Sequence, residues 1–160
     1  MCIRDRDKAV AKYARREYNL ALGERTAETI KIKMGSAVPL VREFEAEIRG
    51  RDLLTGLPKT VVTTTREIRE GLEEPVSAIV DAVKAVLDAA PAELASDIIE
   101  NGIVLTGGGA LLNGLAQRIQ IETGTPIHMA PSPLQTVVLG SGLYLEQRRK
   151  NPRSTTVPNL

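Results

Sequence analysis

Thr106-Gly107-Gly108-Gly109-Ala110 is the stretch of this sequence best suited to chemistry. Ile103-Val104-Leu105 precede it as residues fit for a buried strand, and Leu111 and Leu112 begin an apolar helical pattern after it. A strand, a turn without side chains and a helix N-terminus in succession let backbone come close to a ligand. Glycine tolerates φ > 0 and has no Cβ to block approach. The free N–H groups and positive dipole end of a helix N-terminus favour an anion. The pattern therefore suggests a nucleotide or another anion-bearing ligand. It is not a G-x-x-x-x-G-K-[ST] phosphate loop, and it lacks the G-x-G-x-x-G spacing of a dinucleotide site. From the motif alone, a plain strand–turn–helix junction reads equally well.

A second polar cluster is Gly23-Glu24-Arg25-Thr26-Ala27-Glu28, at the start of a helical pattern. Such side chains can bond a ligand's sugar or base edge. They are also ordinary first-turn residues, and physics alone reads them as helix capping. The remaining candidates are weaker. His128 is the only histidine and has no second His or Cys nearby to make a metal or acid–base site. Glu43, Glu45 and Glu47 are spaced by two, which puts them on one solvated strand face. Arg148, Arg149, Lys150 and Arg153 form a short basic tail that reads as a solvated terminus. No Ser-His-Asp arrangement or metal-ligand spacing can be named.

These residues need elements to position them. Helical patterns run from Asp7 to Tyr18 and from Glu24 to Met34, with Gly35 closing the second. Residues 41–49 change to period two, which predicts a strand with Phe44, Ala46 and Ile48 buried beneath the preceding helix. A loop leads to a second strand at Thr60–Thr64, giving an antiparallel pair. Thr64-Thr65-Arg66-Glu67 is a capping box for a long helix to about Ala89, with Pro75 either kinking or dividing it. A short helix from Pro91 ends at Asn101-Gly102. Then come the glycine turn, a helix through Leu111, Leu112, Leu115 and Ile119, a strand at Pro126–Ala130, and a helix from Pro133 to about Gln147. The two late strands, joined by a helix, should pair in parallel with a right-handed crossover. Two strands make too small a parallel sheet, so the chain reads as the C-terminal part of a larger α/β protein. Residues 1–6 are expected to be a disordered or non-native start, and 148–160 a disordered tail.

Composition narrows the function classes. Of 160 residues, 42% are hydrophobic but only 2% aromatic, so the core must be aliphatic and base-stacking platforms for nucleic acid are not expected. A net charge of +1 gives no global attraction to nucleic acid or anionic lipid. No apolar run reaches membrane-spanning length. Cys2 is the sole cysteine, so a disulfide within the chain is excluded.

Several segments, in order, resemble the C-terminal half of the MreB family of bacterial actin-like cell-shape proteins. They are Tyr18-Asn19-Leu20 with Gly23–Glu28, Ile32–Ala37, Glu47–Leu53 with Gly56-Leu57-Pro58, Glu73-Glu74-Pro75, Pro91–Ile98 and the Leu105–Leu112 glycine motif. The resemblance covers about Asp7 to Glu146. It implies an α/β, actin-like fold of the ribonuclease-H-like ATPase superfold. Residues 7–147 would be its second lobe, with a small hairpin-bearing subdomain at about 24–65.

By the same resemblance, two lobes close over ATP and Mg²⁺, and loaded subunits form membrane-associated filaments in the cytoplasm. Glu24, Arg25, Thr26, Ala27 and Glu28 would line the adenosine side of the cleft. Thr106, Gly107, Gly108, Gly109 and Ala110 would lie along the nucleotide from the other side. The family's phosphate loops, Mg²⁺-organising acidic residues and membrane-inserting segment precede the matched region. A piece without them is expected to be inactive alone as an ATPase. The implied partners are further copies in a filament and membrane-associated cell-elongation proteins, with membrane contact through the preceding half and no nucleic acid. The alternatives are an enzyme of the same superfold, such as a sugar kinase, a heat-shock chaperone, or a stand-alone interaction module.

Overall fold

The computed structural model describes residues 3–150. Helix α1 (Ile3–Tyr18) begins four residues before the expected Asp7, inside the stretch expected to lack structure. Its buried face is the one the spacing predicts: Val10, Tyr13 and Ala14. Asn19 then takes a positive φ of 51° and breaks the helix. The break is followed by a strand that periodicity did not reveal. Strand β1 (Leu20–Ala21) pairs antiparallel with Asp52 and Arg51 of β2 (Glu45–Asp52), which pairs in turn with β3 (Pro58–Thr64). The expected two-strand unit is therefore a three-stranded sheet, in the order β1-β2-β3. Two residues are too few to show a period; β1 is defined by its pairing with Asp52 and Arg51, with Leu20 wholly buried in the core.

The first expected strand is displaced. It starts at Glu45 rather than residue 41, and Phe44 lies just before it with 44% of its surface exposed. Ile48 faces the core as expected, at 3%. Glu43 does not stand free on a solvated row. Arg69 reaches its carboxylate at 2.7 Å and the Thr65 hydroxyl donates to it. The Thr65 and Arg69 hydrogen bonds hold its carboxyl below the usual range.

Helix α2 (Glu24–Met34) buries Ala27, Ile30 and Met34 against the common core. Helix α3 (Thr65–Asp88) is one helix of 24 residues that continues through Pro75. Proline removes an intrahelical hydrogen bond. Burial of Leu72, Pro75 and Val76 around it keeps the helix in place. Ile68, Leu72, Val76 and Val80 form the buried stripe, each contributing roughly 1.5–3 kcal/mol of apolar burial. Beyond Val80 the cover thins: Val83 is partly buried against the core and Val86 is exposed.

The second half is smaller. After α4 (Ala92–Asn101) come β4 (Ile103–Leu105), a 3₁₀ helix (Gly108–Leu111), α5 (Leu115–Thr123) and β5 (Ile127–Met129). β4 and β5 pair in parallel, as the intervening helix requires. Helix α6 (Thr136–Lys150) contains residues 148–150, which were expected in the disordered tail; the rest of that tail lies outside the described residues. α6 buries none of its residues, although Val137, Val138, Leu143 and Leu145 lie along it.

Candidate nucleotide cleft

The glycine segment is built differently from the expected turn into a helix. Gly107 adopts φ 81°, a conformation closed to most side chains, and its N–H donates to the Pro133 carbonyl at 2.8 Å. The Thr106 hydroxyl donates to the same carbonyl at 3.0 Å. Gly108–Leu111 then form a single 3₁₀ turn, and the α-helix starts only at Leu115. Leu112 leaves the turn in an extended conformation, and Gly114, at φ 74°, caps the start of α5. The helix-dipole argument for anion binding at the glycines therefore does not apply. What remains is bare backbone. The Gly109 carbonyl is already held by the Arg6 guanidinium at 2.9 Å, and Ala110 is buried.

The other polar cluster opens α2. Its N-cap is Gly23, no side chain caps it, and Glu24 is the acidic residue of its first turn. Glu24 and Arg25 are exposed, Thr26 is half-buried and Ala27 packs into the core. Glu28 is exposed, one turn further along.

Glu28 and Gly108 line one cleft of about 380 Å³. Ile32, Leu111, Leu112 and Leu134 supply apolar walls to the same space. Of the ten residues singled out from sequence, these two share the cleft, while the Ala27 and Ala110 side chains point into protein. Sequence reasoning missed Lys31. It lines the cleft one turn after Glu28 and pairs with Asp7 at 2.7 Å, almost fully buried. Its spacing of three from Glu28 was the available signal. Apolar walls suit a base and a carboxylate suits sugar hydroxyls, so the donor set fits a nucleoside. A metal is a different matter. Among the described residues no group of three or more His, Cys, Asp and Glu side chains could hold one. His128 is exposed on β5, away from the cleft lining.

The family model described as MreB/Mbl protein matches residues 4–153. The chain belongs to the MreB/Mbl family. It is 46% identical over 147 residues to the cell shape-determining protein Mbl of Bacillus subtilis strain 168, covering 92% of this chain and 44% of that protein. It is 48% identical over 140 residues to the cell shape-determining protein MreB of Escherichia coli K12, covering 88% of this chain and 40% of the relative. Among solved structures it is similar to MreB5 of Spiroplasma citri bound to ADP, with a TM-score of 0.89 at 36% identity over 94% of this chain and 46% of that one. The chain thus spans less than half the length of the MreB and Mbl proteins it matches. Its α/β architecture is part of the actin-like MreB fold, and the enzyme and chaperone alternatives are not favoured by these matches. Among the described residues no helix is long and apolar enough to cross a membrane.

Proposed function

We propose that this chain is the C-terminal lobe of a nucleotide-binding cytoskeletal protein, which assembles into filaments and determines cell shape by organising cell-wall synthesis. The segments Glu24–Glu28 and Thr106–Ala110 would meet the nucleotide from opposite sides, through Glu28 and Gly108, the two of their residues that line the cleft. The observation that carries the reading is the cleft shared by Glu28 and Gly108, from segments far apart in sequence. The relatives' names support the cell-shape role, and the ADP in the Spiroplasma citri protein supports the ligand class. ATP is the loaded form, with Mg²⁺ bound by groups beyond those described. The filaments work in the cytoplasm beside the membrane, with membrane-associated elongation proteins as partners.

Titration with fluorescently labelled ADP, in the protein extended to its relatives' length, tests the site. Glu28→Ala should weaken binding by about one hydrogen bond, roughly two- to tenfold. Gly108→Val should weaken it more, because a β-branched side chain would enter the space that bare backbone leaves open. Unchanged affinity in both folded variants would remove these residues from the nucleotide.

A further inference from the structure

The two walls of the cleft meet at one joint. The segment leaving α2 runs beside the segment leading into α5: Ser36 bridges Asn113 in parallel, and the Ala37 N–H donates to the Asn113 carbonyl at 2.7 Å. Packing there is tight on both sides. A Cβ on Gly114 would fall onto Val38 Cγ2, and one on Gly35 would meet Leu112 Cδ1 at 3.2 Å. Close packing of this kind transmits a shift rather than absorbing it.

Arg118 stands over the joint, one turn into α5. Its Nη2 donates to Glu73 Oε1 at 2.7 Å and its Nη1 to Glu73 Oε2 at 3.4 Å. Nε donates to Glu122 at 3.1 Å, and Nη1 also reaches the Ala37 carbonyl at 3.5 Å. Lys84 of α3 holds the same Glu122 at 2.6 Å. One guanidinium therefore connects α3, α5 and the exit of α2. Its planar fork sets a geometry, where an ammonium would supply only charge. Neither Arg118 nor Glu73 lines the cleft.

We propose that Arg118 is a positioning residue for the nucleotide cleft: through Glu73 and the Ala37 carbonyl it fixes the separation between the α2 wall and the glycine wall. The proposal rests on the nucleotide reading of the cleft. The clamp acts on binding without touching the ligand. Glu73 must matter for the same reason as Arg118, and the two must act as a unit.

The test uses Arg118→Ala, Glu73→Ala, the double variant and Arg118→Lys, with two readouts. The first is hydrogen exchange of the Ala37 amide by NMR, which needs no nucleotide. The second is affinity for fluorescently labelled ADP. Each alanine variant should speed Ala37 exchange while amides in the middle of α3 keep their protection, and should weaken ADP roughly three- to tenfold. The double variant should lose no more than Arg118→Ala alone, and Arg118→Lys should fall between Arg118→Ala and the native sequence. Unchanged Ala37 exchange, or losses that add in the double variant, would overturn the clamp. Should Arg118→Ala fail to fold, Glu73→Gln carries the same comparison. Failure of the unsubstituted protein to bind ADP would instead overturn the nucleotide reading, and the Ala37 measurement would still decide the clamp.

Discussion

Glu67 and Thr64 satisfy each other's backbone. The Glu67 carboxylate accepts the Thr64 N–H at 2.7 Å, and Thr64 Oγ1 accepts the Glu67 N–H at 3.2 Å. This reciprocal cap starts α3 at the last residue of β3. Burial alone would raise the Glu67 carboxyl. The Thr64 N–H and the hydroxyls of Tyr18, Thr64 and Thr63 outweigh it and hold the group below its ordinary value. Thr64→Ala should cost about 1 kcal/mol in urea denaturation, with Thr64→Ser recovering most of it. Equal stability of the two variants would mean that the cap does not hold the helix start.

Tyr18 extends the same network and predicts an alkaline limit. Its hydroxyl donates to Thr63 Oγ1 at 3.1 Å, and Thr63 donates to Glu67 at 3.3 Å. Burial is the largest influence on the phenol; with Glu67 and Tyr13 nearby it outweighs the opposing Thr63 bond, and the pKa is pushed up to about 12. A raised folded-state value means that the unfolded chain ionises first. The contribution is therefore complete below about pH 10 and is lost as pH climbs to about 12. Denaturation midpoints measured across that window, with tyrosinate absorbance as a second signal, should fall more steeply for the native sequence than for Tyr18→Phe. Parallel curves would count against it.

Phe44 and Ile48 should separate sharply on truncation. Ile48 is 3% exposed and Phe44 44%. Ile48→Ala should cost roughly 2–5 kcal/mol, as buried aliphatic truncations do. Phe44→Ala should cost less than Ile48→Ala, because nearly half of the Phe44 surface already faces water. The reverse order in a chemical-denaturation series would mean that the ring is covered in solution.

Gly71 predicts the opposite of what helix propensity says. It sits inside α3, where alanine is favoured by about 1 kcal/mol. A Cβ there would lie 2.8 Å from Tyr13 Cβ and 2.9 Å from Cγ, at the crossing of α1 and α3. Gly71→Ala should therefore destabilise, by about 1–3 kcal/mol from overpacking less the propensity gain. A rise in melting temperature would show that α1 can move aside freely.

Much of this architecture was legible locally. The Thr64–Glu67 box, the faces of α1 and α2, and the parallel pairing of β4 with β5 follow from spacing and connection rules. Two of the differences come from contacts between distant residues. Phe44 continues the alternation of its strand, but Arg69 and Thr65 capture Glu43 next to it. Leu20 and Ala21 carry no periodicity and become a strand because Asp52 and Arg51 lie opposite. The cleft was half legible. The glycines mark themselves by composition, whereas Lys31 reads as a surface lysine until Asp7 is found beside it. The apolar spacing runs on from Leu112 to Leu115, but Gly114 between them is left-handed, and α5 begins only after it.

The absence of any loop between β3 and α3 has a mechanical consequence. Thr64 ends the strand and Thr65 begins the helix, so no flexible residue separates sheet from rod. At 1.5 Å per residue, the 24 residues of α3 make an arm of about 36 Å. A push on the hairpin becomes a torque on that arm, felt at its far end, where Lys84 grips α5 through Glu122. Sheet and α5, the helix that carries Arg118, thus sit at the two ends of one continuous element.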